Sequence, residues 1–217
     1  MKKIFLVFCI SLFVVACGNG GNIIKNVDDL KVLHPQDFHE LATMFDELTY
    51  EYDAVYSSEK HVVTYTYGGQ ENLNGNMVSK LIFDLSGEEA IIYLNNDGEE
   101  VKVSHRENTY TQEDEGLRFT LMEIKSKMPR IFNSPSDHIT KRDRDRDTLI
   151  STEQLTINNN KGSKEIYEDE HESSITGEVT NREKHLGIFD EFMIMLYEKV
   201  DTDNHHSEFE ITSFKVK

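Results

Sequence analysis

The stretch Asn76-Met77-Val78-Ser79-Lys80-Leu81-Ile82-Phe83-Asp84-Leu85 is followed by Ser86-Gly87 and then by Ala90-Ile91-Ile92-Tyr93-Leu94-Asn95. After Asn96-Asp97-Gly98 comes Glu100-Val101-Lys102-Val103-Ser104-His105. Leu81, Phe83 and Leu85 alternate with less apolar neighbours, as do Val101 and Val103. A period of two places them on one face of a strand. Asp-Gly supplies the positive φ angles that a tight hairpin needs. Three adjacent antiparallel strands follow. Upstream, Val63, Tyr65 and Tyr67 alternate within His61 to Tyr67 and end at Gly68-Gly69, which adds a fourth.

On either side of this meander the period changes. Phe38, Leu41, Phe45 and Leu48 recur at spacings of three, four and three behind His34-Pro35, with Asp37 and Glu40 in the first turn. The spacing predicts a helix from about Pro35 to Tyr50. Leu121, Ile124, Met128, Ile131 and Phe132 predict a second helix from about Leu117 to Phe132, stopped by Asn133-Ser134-Pro135-Ser136. Strands resume at Thr148 to Asn158, with a turn at Asn159-Asn160-Lys161-Gly162 and a strand over Ser163 to Glu168. More are expected over Ser174 to Val179, Glu191 to Val200 and Ser207 to Val216, the last two joined by a hairpin loop at Asp201 to His206. The expected fold is therefore α+β: a curved antiparallel sheet of about eight strands with two main helices, in the order helix, four strands, helix, four to five strands. No Pro/Gly/Ser linker divides it, so residues 34–217 read as a single domain.

The N-terminus has a different character. Lys2-Lys3 precede an apolar run from Ile4 to Val15, too short for a bilayer-spanning helix of roughly 20 residues. The run ends in Val14-Val15-Ala16-Cys17. This segment resembles the lipobox of bacterial lipoproteins, with Val14 standing where that family prefers Leu. The resemblance covers the first seventeen residues. It implies that residues 1–16 are a signal peptide, that Cys17 is the lipid-attachment residue, carrying diacylglycerol with a further palmitate-type acyl chain, and that 17–33 form a lipidated tether. It also implies an exported protein held to a cell membrane or outer membrane, facing the periplasm or the exterior. Gly18-Asn19-Gly20-Gly21-Asn22 reads as flexible tether.

The whole chain has 217 residues, 23 Lys+Arg against 40 Asp+Glu, and a formal net charge of −17. Loss of residues 1–16, which hold two lysines, one cysteine and no acid, leaves 201 residues at −19 and a single cysteine. Such acidity argues against a nucleic-acid partner, since phosphate contacts need Lys or Arg. One lipidated cysteine leaves no thiol for redox or nucleophilic chemistry.

Few motifs suggest chemistry. Asp143-Arg144-Asp145-Arg146-Asp147-Thr148-Leu149-Ile150-Ser151-Thr152-Glu153-Gln154 resembles an EF-hand calcium loop, with acids at loop positions one, three and five. Thr148 stands where that loop has Gly, and Gln154 where it has a bidentate Glu. Glu168-Asp169-Glu170-His171-Glu172 is the densest acidic run and reads as a solvated strand end. His205-His206 beside Asp201 and Asp203 offers donors for zinc or copper but lacks a third ligand at a defined spacing, so it reads as a polar hairpin tip. His34 and His39 lie five apart, off a shared helix face. No serine-nucleophile elbow, HExxH pair or phosphate-binding Gly loop occurs.

No catalytic, cofactor-binding or metal-ligating residue is assigned, and no cofactor is expected. The leading expectation is a non-enzymatic, membrane-anchored lipoprotein of the cell envelope that binds an unidentified protein or small ligand. One alternative rests on element order, which resembles that of the periplasmic lipoprotein-carrier family and its lipidated outer-membrane acceptor. That order implies a half-barrel holding an acyl chain, with Phe83, Leu85, Ile91, Tyr93 and Met193 as candidate lining. A second alternative is weak calcium binding at 143–154.

Overall fold

The structure, a computed structural model, describes residues 30–53, 60–128, 132 and 147–217. The signal segment, Cys17 and most of the tether lie outside the described residues, as do Asp143 to Arg146.

The chain order is β1 (Lys31–Val32), α1 (Phe38–Met44), β2 (Phe45–Asp53), β3 (Lys60–Leu73), β4 (Asn76–Leu85), β5 (Glu89–Leu94), β6 (Glu100–His105), β7 (Asn108–Thr111), α2 (Glu115–Ser126), β8 (Thr148–Ile157), β9 (Asn160–Glu172), β10 (Val179–Phe189), β11 (Phe192–Asp201) and β12 (His206–Val216). All strands join one 12-stranded sheet, ordered β7-β6-β5-β4-β3-β2-β12-β11-β10-β9-β8, with β1 alongside β11. Every pairing is antiparallel except that of β1. One meander runs outward from β2 to β7. A second starts at the far edge with β8 and runs back to β12, which pairs with β2 in the middle.

The expectation of an α+β fold with about eight strands and two main helices is therefore overturned. Among the described residues the protein is mostly β, with twelve strands in one sheet and two short helices, α1 and α2. The first reason lies at Phe45. The helical spacing from Phe38 is real only as far as Met44, where Phe45 turns extended (φ −127°, ψ 141°). Val216 pairs with Phe45 and Lys215 with Glu47, so the register shifts there. An extra residue in the strand puts Leu48 three places after Phe45 and imitates a helix. From Leu48 the true period is two: Leu48, Tyr50 and Tyr52 meet the core.

Other differences have local causes. The hairpin after β8 turns on Asn158-Asn159, both at positive φ (46° and 71°), so it starts one residue before the expected turn at Asn159 to Gly162. Gly162 is instead a strand residue paired with Phe189, and the position takes glycine because a Cβ there would lie 2.2 Å from the carbonyl oxygen of Ile188. Ser174 to Thr176 form a turn and not a strand, and β10 begins only at Val179. The helix expected to reach Phe132 ends at Ser126, and the short β7 was not anticipated.

One large apolar cluster holds the molecule together. Phe38, Leu41 and Ala42 of α1 and Ile124 of α2 pack against Leu48, Tyr50, Tyr65, Leu81, Phe83, Ile92, Val103, Phe209, Ile211 and Phe214 of the strands. Phe38 meets Phe83 and Phe132 edge-on at 5.6 and 5.1 Å. Asp37 caps α1 by accepting from the Glu40 amide at 2.7 Å. The fully buried Tyr50 hydroxyl donates to the Lys127 carbonyl, which ties β2 to the end of α2. No helix of the described residues is long and apolar enough to cross a membrane.

β11 changes partners along its length. Tyr197 to Asp201 pair with β12, while β1 pairs at Phe192 and Met193 on the edge not held by β10. β1 thus joins the sheet at the start of β11, and Asp201 lies at the other end of β11.

Candidate functional site

Alternation along the strands separates two surfaces at the Asp201 end of the sheet. Tyr52 and Phe209 point into the core. Their neighbours in sequence point the other way and line up across strands. Glu168 pairs with Glu183, Glu183 with Lys199, and Lys199 with Glu208. The next row runs Glu170, Asn181, Asp201, His206. A third joins His185, Tyr197, Glu210 and Glu51. The residues that sequence reading took for a solvated strand end, Glu168 and Glu170, therefore belong to a wider acidic face. A cleft of about 370 Å³ opens there, lined by Glu168, Glu170, Glu183, Lys199 and Asp201 among others.

The electrostatics follow from this crowding. Tyr197 is pushed up to about 12, by burial first and then by the negative charges of Glu208, Glu183, Glu210 and Asp201. Asp201 is held below the usual carboxylate range by hydrogen bonds from Lys199 and then His206. Lys199 is raised by the same contact, 2.7 Å from Asp201 Oδ2.

The densest point is His206. Its Nδ1 lies 2.5 Å from Asp201 Oδ1. Its Nε2 faces Asp53 Oδ2 at 3.5 Å and Glu208 Oε2 at 4.0 Å. Lys60 approaches the other oxygen of Glu208, Oε1, at 3.8 Å. His206 and Glu208 share a face because they are two apart on β12. Asp53 ends β2, the neighbouring strand. One donor atom from each of Asp53, His206 and Glu208 lies within 4.8 Å of the other two.

The sequence-derived candidates are placed differently. His206 and Asp201 come together as their proximity suggested. Asp203 is exposed and His205 half-buried in the hairpin loop, and neither joins the group. Asp53 and Glu208 were missed. The His206-x-Glu208 alternation was a readable signal, whereas Asp53 became a neighbour only through the β2–β12 pairing. Of the calcium-loop residues, Thr148 to Gln154 are extended and paired to β9, and the Asp147 carboxylate accepts from Lys184 at 2.9 Å. His34 is buried, and His39 lies against the hairpin at Gly98.

The five residues suggested as an acyl-chain lining do not share a surface. Phe83 and Leu85 are buried in the main cluster, and Met193 sits in a second cluster with Tyr167 and Leu186. On β5, Ala90, Ile92 and Leu94 join the main cluster, which turns Ile91 and Tyr93 to the opposite side.

These features define a β-protein with a crowded acidic face that carries a mixed imidazole–carboxylate group at His206. No family model matches the chain, and no curated protein matches it. Among solved structures it is similar to a candidate lipoprotein from Parabacteroides distasonis, at 12% identity and a TM-score of 0.29, over 86% of this chain and 100% of that one. It is also similar to a candidate exported protein with a YmcC-like fold from Bacteroides fragilis, at 9% identity and a TM-score of 0.28, over 80% and 99%. Both overlays are loose, and neither carries a function across.

Proposed function

We propose that the chain is an exported lipoprotein of the cell envelope, anchored through lipid on Cys17, which uses the acidic face of β9 to β12 and β2 to hold a cationic ligand without catalysing a reaction. The observation that carries the binding reading is the cross-strand ladder itself. Like charges directly opposite one another destabilise a sheet, yet Glu168 and Glu183 are paired, as are Glu51 and Glu210. A ligand that supplies positive charge relieves that repulsion. The anchoring reading rests on Val14-Val15-Ala16-Cys17 and on the two-chain lipid strength needed for stable attachment.

The two readings fit one geometry. β1 brings the tether to the start of β11, and the acidic face is at the end of β11. Ten residues of strand at about 3.3 Å each place the face roughly 30 Å from the tether. The acidic surface then stands away from anionic headgroups, which would repel it.

Cell fractionation with Cys17→Ser tests the anchor. The wild-type chain is expected in the membrane fraction with an acylated N-terminal peptide by mass spectrometry, and the variant in the soluble fraction. An unmodified Cys17 in the membrane-bound protein rejects the anchor. Binding of a lysine decapeptide to the wild-type chain, abolished by Glu168→Gln with Glu183→Gln, tests the face. Equal binding by both proteins rejects it.

A further inference from the structure

The geometry points to a divalent transition-metal site, of zinc-binding character, made by Asp53, His206 and Glu208, with Asp201 orienting the imidazole. This names the ligand class of the acidic face, and so rests on the reading of that face as a binding surface.

The argument begins with which atom meets which. The two lysines near the group bind outside it. Lys199 takes Oδ2 of Asp201, and Lys60 approaches Oε1 of Glu208. The oxygens turned toward the imidazole, Asp53 Oδ2 and Glu208 Oε2, are different atoms. Both are too far from Nε2, at 3.5 and 4.0 Å, for a hydrogen bond. Three donor atoms therefore converge across a gap instead of closing on one another. Zinc–nitrogen and zinc–oxygen bonds of about 2.0–2.2 Å in a tetrahedron separate ligand atoms by roughly 3.4 Å. The two nitrogen–oxygen separations, 3.5 and 4.0 Å, are near that size, and all three donor atoms lie within 4.8 Å of one another.

The orientation of the ring serves the same arrangement. Asp201 Oδ1 lies 2.5 Å from Nδ1 of His206, and Nε2 is the nitrogen turned toward Asp53 and Glu208. A carboxylate behind a histidine, with the far nitrogen on a metal, is a recurrent orienting arrangement. Imidazole also decides the class of ion. Calcium and magnesium take oxygen ligands, six or more for calcium, whereas one nitrogen and two carboxylates suit zinc and its neighbours.

The test is calorimetric titration of the metal-stripped full chain, in detergent, with zinc at pH 7.5, and with cobalt to read coordination by visible absorption. One zinc per chain is expected at micromolar concentration, undiminished by millimolar calcium. His206→Ala should weaken zinc at least 10-fold, and Asp201→Asn about 10-fold through loss of orientation. The cobalt complex of the wild-type chain should show the strong d–d band of tetrahedral nitrogen–oxygen ligation, which needs no variant. Zinc binding equal in wild type and His206→Ala, or an octahedral cobalt spectrum, overturns the site. Absence of zinc uptake with retained lysine-decapeptide binding rejects the metal and leaves the face standing. Absence of both rejects the face as well.

Discussion

Among the described residues His105 sits beside two carboxylates and His206 beside three, and only the second group has donors left over. His105, at the end of β6, is buried between Glu88 of the β4–β5 turn and Glu123 of α2. Its Nε2 is 3.6 Å from Glu88 Oε2, but that same oxygen receives Lys127 at 2.8 Å and Arg106 at 3.3 Å. Arg106 also reaches Glu123 at 3.1 Å. Two cations already satisfy the two acids, and the group is a clamp that holds α2 to the strand turns. At His206 the lysines occupy the outward oxygens, and the inward ones face the ring. The lesson is that residue types do not distinguish a clamp from a binding site. The difference is which oxygen the cation takes.

The comparison can be broken from the clamp side first. If α2 is held chiefly by packing, with the charges adding little, Ile124→Ala should have the largest effect. Ile124 is fully buried in the main cluster, and its truncation should cost about 2–5 kcal/mol in urea unfolding. A cost well under 1 kcal/mol would mean that α2 does not rest on that side chain.

Substitution at the clamp histidine should matter less. Among the described residues His105 Nε2 is a buried atom with no hydrogen-bond partner. Replacing an unsatisfied polar side chain by an apolar one of similar size is close to neutral. His105→Leu should therefore change stability by less than about 1 kcal/mol in the same assay. A larger loss would show that the ring contributes as an ion-pair member.

Glu88 sharpens the contrast through pH. Hydrogen bonds from Lys127 and then Arg106 hold its carboxyl near about 2, below its ordinary value of 4.5. A lowered folded-state value stabilises where the unfolded chain has already lost the proton. The contribution is full above about pH 5 and disappears as the pH falls toward 2. The melting temperatures of wild type and Glu88→Gln should differ slightly at pH 6, less in high salt, and converge near pH 2. A difference that persists at pH 2 is inconsistent with charge as its source.

The smallest effect should appear on the open face. Glu210 is one of four acids that raise Tyr197. Glu210→Gln should shift the ring-carbon resonance titration of Tyr197 to lower pH by a few tenths of a unit, since the charge acts through partly exposed surroundings. An unchanged midpoint would mean that burial alone sets it.

Much of the meander was legible because its signals are local. The period-two run of β4 and the Asp97-Gly98 hairpin identify their strands without reference to the rest of the chain. The bounds of β4 and β6 agree with the sequence reading. β2 was misread because the register shift near Phe45 imitates helical spacing, and a bulge exists only relative to a partner strand. β10 was missed for another reason. Its sequence, Val-Thr-Asn-Arg-Glu-Lys-His-Leu-Gly-Ile-Phe, carries Arg182, Glu183 and Lys184 in succession near its middle and buries Lys184 against Asp147. Polar strands of this kind are recognised by their neighbours and not by their own pattern.

The sequence by itself determined the strong negative charge, the alternation of the central strands, and the spacing of two between His206 and Glu208. These depend on residue type and on spacings of two. Only the tertiary structure decided that twelve strands form one sheet, that β12 returns to pair with β2, and that Asp53 meets His206. That closing pair joins the two ends of the domain, and nothing local in either strand specifies its partner. Its register follows from burying Phe209 against Tyr50 and Phe214 against Phe45 on the core side. Once that apolar register is set, the period of two leaves Asp53, His206 and Glu208 no other place than side by side on the opposite face.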